Sequence, residues 1–172
     1  YTLLLSILHD RSQGQSCKSS FLCIFAKIWI LLISIKNQKS YKMAGIYIHV
    51  PFCKKKCLYC DFYSIGTSTK ISKYPILVEK ELSLRKYFTS NEQIDTIYFG
   101  GGTPSQLAPL QIAYIINCIA RTFLISVNAE ITIEANPDDI SADLLQGYRS
   151  SGANRISIGI QSFIDDELRF LG

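Results

Sequence analysis

Three cysteines crowd into eight residues of this 172-residue chain: Cys53, Cys57 and Cys60 form a Cys-x3-Cys-x2-Cys loop within YIHVPFCKKKCLYCDFYS. Three thiolates on so short a loop can hold three irons of a cubane 4Fe–4S cluster. The fourth iron is then left without a protein ligand, and that vacancy can chelate an amino group and a carboxylate of a small molecule. A structural zinc site is one alternative, but zinc wants four ligands and the loop offers no fourth Cys or His. A chance grouping of cysteines is the other. The chain's six cysteines also include Cys17, Cys23 and Cys118. An even count suits disulfides in a small secreted protein, but crowding of this kind suits a metal site better. Cys118 falls in a predicted helix and reads as a small buried hydrophobe. His9 and His49 are the only histidines, so no Ser/His or Cys/His catalytic set is credible, and no catalytic residue is assigned.

Strands and helices that alternate after Met43 must position this loop. GIYIHV (45–50) reads as a strand ended by Pro51, with Ile46, Ile48 and Val50 on one face and Tyr47 and His49 on the other. Helical spacing follows over 74–88. IDTIYF (94–99) is the next strand, stopped by three glycines. A helix is expected over 107–123, then the strand EITIEA (130–135), ended by Asn136-Pro137. A short helix over 141–151 has Ser141 as its N-cap and Gly152 as its stop. RISIGI (155–160) is the fourth strand, and a fourth helix begins before Gly172. The order predicts an α/β fold, a parallel (β/α) partial barrel of about four units, with right-handed crossovers. Functional residues then belong at the C-terminal ends of strands. The cysteines, the glycines, Asn136-Pro137 and Gln161-Ser162 all follow strands.

The cysteine motif resembles the signature of the radical S-adenosylmethionine (SAM) superfamily. The flanking YIHVPFC and CDFYS are similar to the subgroup that holds oxygen-independent coproporphyrinogen dehydrogenases and HemW heme chaperones. The resemblance runs from Met43 to Gly172 through several motifs in order. It implies that Cys53, Cys57 and Cys60 ligate the cluster and that SAM binds its open iron. Tyr47 would sit against SAM and Tyr59 would flank the adenine. Gly100-Gly101-Gly102-Thr103-Pro104-Ser105 would form the SAM loop, with Glu134 at the ribose and Gln161 in contact with SAM. Plainer readings stand beside these. Tyr47 and Tyr59 are core aromatics, the glycines are a tight turn, Glu134 pairs with Arg155, and Gln161 caps a turn. Lys54, Lys55 and Lys56 read as solvated loop charges, with neutralisation of cluster or substrate charge as the sharper alternative.

Within that subgroup one position discriminates. The dehydrogenases carry a further Cys two residues after the last ligand, whereas here Cys60 is followed by Asp61-Phe62. CDFYS resembles the HemW branch. This implies a heme chaperone without coproporphyrinogen dehydrogenase activity. Heme would be its cargo, heme-accepting proteins its targets, and an electron donor would serve the cluster. The alternative is an oxygen-independent coproporphyrinogen III dehydrogenase.

Charge divides the chain. Residues 1–42 hold six basic residues and one Asp, whereas residues 43–172 hold twelve basic and thirteen acidic residues. The basic balance thus belongs to the first quarter and gives no support for a nucleic-acid partner. Phe21–Ile35 is apolar except for Lys27 and Ser34. It is shorter than the roughly 20 residues of a spanning helix, and it lacks the flanks of a signal peptide. Met43, the only methionine, precedes the first patterned strand. Residues 1–42 are therefore read as non-native upstream sequence. A membrane-associating segment and a natural amphipathic extension are the alternatives. Residues 43–172 are read as the N-terminal part of the radical SAM domain, expected in the cytoplasm.

Overall fold

A computed structural model of the chain describes residues 7–8, 28–31, 44–57, 59–66, 69–89 and 92–171. Its strands are β1 (Ile7–Leu8), β2 (Ile28–Leu31), β3 (Ala44–Val50), β4 (Phe52–Cys53), β5 (Ile65–Gly66), β6 (Ile94–Gly101), β7 (Ile125–Ala135) and β8 (Arg155–Ile158). The helices are α1 (Tyr74–Leu84), α2 (Pro109–Thr122), α3 (Ala142–Ser150) and α4 (Asp165–Leu171). Six strands form one sheet in the order β1-β2-β3-β6-β7-β8, and β4 pairs with β5 separately. From β3 through β6 and β7 to β8 every pairing is parallel. Since α1, α2 and α3 link these strands, this is the predicted α/β architecture, an open portion of a barrel. β2 runs antiparallel along the outer edge of β3. The apolar run 21–35 otherwise lies outside the described residues, as do His9, Cys17, Cys23 and Met43.

The two faces of the sheet do different work, because strand side chains alternate. On one face Ile46, Ile48 and Val50 join Ile97, Phe99, Ile131 and Ile133 in a buried cluster with Val78 and Leu82 of α1, Ile112, Ile115 and Ile119 of α2, and Tyr148 of α3. Cys118 is buried in the same cluster, as expected of a small hydrophobe. On the opposite face the register sets Tyr47 beside Tyr98 and Tyr98 beside Thr132. Glu134 lies two residues further along the same face.

Most boundaries follow the expected signals. Pro109 opens α2, where its missing N–H costs nothing. Ser141 caps α3 by accepting the Leu144 N–H at 3.1 Å. Gly152, at φ +102°, ends it. Three elements differ. α1 stops at Leu84 rather than Phe88; Leu84 and Tyr87 face solvent, so a further turn would bury little apolar surface. β7 begins at Ile125, drawn into the sheet by pairing with Ile94. β8 ends at Ile158: the Gly159 N–H donates to the Ala135 carbonyl, and the Ile160 N–H turns back to the Ile158 carbonyl.

Candidate functional site

The cysteine loop is tied at both ends. Phe52 and Cys53 pair with Ile65 and Gly66, and the Ile65 N–H donates to the Pro51 carbonyl at 2.7 Å. Cys53, Cys57 and Cys60 therefore lie on one anchored excursion from the end of β3. All three are free and partly exposed. Among the described residues no three His, Cys, Asp or Glu side chains gather around a single ion. Three thiolates that each bind a different iron of a cubane need no such convergence, so the donor set suits a cluster with one open iron.

The glycine loop closes onto this excursion through its backbone. The Gly102 N–H donates to the Val50 carbonyl at 2.8 Å and the Thr103 N–H to the Phe52 carbonyl at 2.7 Å. A Cβ on Gly102 would stand 2.9 Å from both the Val50 and the Phe52 carbonyl oxygens and 3.0 Å from Cys53 Sγ. Only a residue without a side chain permits that approach. Gly101 has φ +114°, and a Cβ there would meet the His49 ring at 2.5 Å. The Thr103 hydroxyl donates to Cys53 Sγ at 3.5 Å. The glycines are thus more than a turn: Gly102 brings backbone against a cysteine.

Beside that loop lies a polar group built on the face away from the helices. Glu134 takes the Tyr98 hydroxyl at 2.7 Å on one carboxylate oxygen and the Gly101 N–H at 3.2 Å on the other. Arg155 pairs with Glu130, leaving Glu134 to the site. Tyr47 is stacked on Tyr98 with ring centroids 5.9 Å apart. Burial, with the nearby Glu134 charge, holds the Tyr47 hydroxyl far above its ordinary pKa. Burial and the hydrogen bond to Glu134 raise Tyr98. Both phenols stay protonated donors. Tyr47 is therefore part of this polar group rather than of the helix-side core.

Two expected residues stand apart. Tyr59 is 51% exposed on the cysteine loop, so it is no core aromatic. Partial burial and a hydrogen bond to Cys57 raise its pKa. Gln161 lies three residues past the end of β8 and is exposed; its side chain donates to the Gly159 carbonyl at 3.3 Å, the turn-capping arrangement.

Lys54 is exposed, as Lys55 and Lys56 are, but it forms an ion pair with Asp139. Asp139 also accepts the Ser105 hydroxyl at 2.6 Å and the Gln106 amide at 2.8 Å. Burial pushes the Asp139 carboxyl up, but the hydrogen bonds from Lys54, Ser105 and Gln106 outweigh it and hold the group below its usual range. The sequence reading missed Tyr98 and Asp139. Tyr98 was open to strand parity, since it lies on the strand that pairs with that of Tyr47. Asp139 had only its place after a strand to mark it.

Residues 47–172 match the radical SAM superfamily. The chain belongs to the radical SAM superfamily. Among similar proteins, the heme chaperone HemW of Haemophilus influenzae is 41% identical over 134 residues, covering 74% of this chain and 35% of that protein. HemW of Escherichia coli is 36% identical, covering 74% and 34%. The radical S-adenosyl methionine domain-containing protein 1, mitochondrial, of Bos taurus is 34% identical, covering 75% and 29%. Among solved structures, the coproporphyrinogen III oxidase (HemN) of Escherichia coli superposes with a TM-score of 0.67 at 33% identity, covering 73% of this chain and 29% of that one. The chain spans about a third of the length of these relatives. The similarity to HemW proteins inferred from YIHVPFC and CDFYS is borne out, and so is the radical SAM fold.

Proposed function

We propose that this chain is the cluster- and SAM-binding part of a heme chaperone of the HemW type, which carries heme to target proteins. Cys53, Cys57 and Cys60 would ligate a 4Fe–4S cluster, leaving one iron to bind SAM. When bound, such a cluster supplies the electron that cleaves the sulfonium carbon–sulfur bond of SAM. An electron donor would serve the cluster. The bare backbone of Gly101 and Gly102, with Thr103, would receive the methionine end of SAM. Glu134, oriented by Tyr98, is suited to accept ribose hydroxyls. Tyr47 is a protonated donor facing the same space. Tyr59 and Gln161 would reach SAM from the rim. The cytoplasm is the expected compartment; among the described residues no helix is long and apolar enough to cross a membrane.

The observation that carries the reading is the seating of the glycine loop on Cys53, in a chain whose similar proteins include several named heme chaperone HemW. Phe62, where the dehydrogenase pattern has a further cysteine, favours the chaperone. It is 65% exposed and offers neither a thiol nor a ligand. The second reading, an oxygen-independent coproporphyrinogen III dehydrogenase, draws on the likeness to the oxidase structure. The test gives the full chain, reconstituted anaerobically, coproporphyrinogen III, SAM and a reductant, and looks for protoporphyrinogen IX. A second arm measures heme binding and transfer to an apo-hemoprotein. Heme transfer without product is expected. Robust product formation would overturn the chaperone reading, and absence of both would leave only the superfamily.

A further inference from the structure

Asp139 joins three loops that are far apart in sequence. It ends the Pro137–Asp139 turn that follows β7. Its carboxylate holds Lys54 of the cysteine loop, 85 residues away, and Ser105 and Gln106 of the segment that follows the glycines. The Ser105 hydroxyl in turn accepts the Asn136 N–H at 3.2 Å, so the turn and the glycine segment are crosslinked at two points. The Asp139 side chain is 5% exposed and that of Lys54 is 64% exposed. An ion pair so open to water is by itself worth little. Here the carboxylate is already fixed by two neutral donors, so the lysine docks onto a preordered acceptor. None of these five residues belongs to the hydrophobic cluster that holds the sheet to its helices. What the network fixes is the relative placement of the loops at the strand ends.

We infer that Asp139 is a positioning residue that latches Lys54 and so fixes the neighbouring Cys53 against the glycine loop. The inference rests on the proposed reading of Cys53 as a cluster ligand and of the glycine loop as the SAM seat. It assigns to one of the three loop lysines a role that its neighbours do not share. Lys55 and Lys56 carry the same charge in the same loop and are exposed as Lys54 is, but among the described residues only Lys54 of the three forms an ion pair. A general effect of positive charge would involve all three, whereas a latch involves Lys54 alone.

The experiment compares single substitutions in the full chain, reconstituted anaerobically. It measures iron content, SAM Kd, and the change in the reduced-cluster EPR spectrum when SAM is added. Lys54→Met and Asp139→Asn are each expected to keep their iron and to raise the SAM Kd about tenfold, the loss of one charge-assisted hydrogen bond. The EPR response to SAM should weaken in parallel. Lys54→Arg should restore the affinity, and Lys55→Met should leave it unchanged. The double variant should be no weaker than the worse single one, because the two residues act as a unit. If Asp139→Asn does not fold, Lys54→Met carries the test, since it alters a mostly exposed side chain. Unchanged SAM affinity in Lys54→Met, or an equal loss in Lys55→Met, would overturn the latch alone. Failure of the unsubstituted chain to take up a cluster or SAM would sink the functional reading, and the latch with it.

Discussion

At the scale of single residues, the site separates groups that would bind a cofactor from groups that hold those groups still. Tyr98 is of the second kind. Its hydroxyl donates to one oxygen of Glu134 while the Gly101 N–H occupies the other. Tyr98→Phe keeps the ring stacked on Tyr47 and removes only the donor. Glu134 then loses a hydrogen bond worth about 1 kcal/mol, and the SAM Kd should rise roughly fivefold at unchanged iron content. Calorimetric titration of SAM checks this; an unchanged Kd would mean that Gly101 alone orients the carboxylate. The cysteines answer to a different measurement. Ala at Cys53, Cys57 or Cys60 should abolish cluster assembly, whereas Cys118→Ala should leave iron content intact, because Cys118 is buried among α2 side chains on the helix side of the sheet. Equal iron loss from Cys118→Ala would refute the ligand assignment.

At the scale of elements, alternation and punctuation were legible in the sequence, and contacts across loops were not. GIYIHV divides into buried Ile46, Ile48 and Val50 and half-buried Tyr47 and His49, as period 2 requires. Ser141 and Gly152 mark α3 because caps are local chemistry. The end of α1 was not legible, since it depends on what 85–88 fails to bury. Nor was the Lys54–Asp139 pair, whose partners meet only once two crossovers are in place. The cysteine loop was legible because its chemistry lies in consecutive residues. α1 also carries a consequence for pH. Glu81 is buried, and burial pushes its carboxyl up to about 8 from about 4.5, against the opposing pull of Arg85 at 3.0 Å. Between those values the folded chain binds the extra proton. Stability therefore falls as pH rises from about 4.5 to about 8, and is flat in this respect beyond. Glu81→Gln should remove that slope, read as the urea midpoint of the full chain at several pH values. A slope unchanged by the substitution would place its origin elsewhere.

At the scale of the whole molecule, the parallel run from β3 to β8 is flanked on the β3 side by β2 and β1. We propose that this upstream part is dispensable. β3 pairs with β6 along its full length, from Ala44 to Val50, whereas its register with β2 is Ile28 to Ile48 and Trp29 to Tyr47. Among the described residues, Ile46, Ile48 and Val50 are buried in a cluster made with β6, β7 and the helices. Every proposed site residue lies between Tyr47 and Gln161. The excess positive charge and the apolar run 21–35 both belong to the first 42 residues. A full chain that begins at Met43 should therefore take up iron and bind SAM as well as one with residues 1–42 attached. The longer form should aggregate more readily, since its apolar run adds surface prone to association. Iron content, SAM Kd and light scattering of the two forms, side by side, make the comparison. If the shorter form stayed dispersed but lost its cluster, the antiparallel edge strand β2 would be required to hold β3 in place. Recovery of peptides from residues 1–42 in the protein isolated from its natural source would likewise make the segment native.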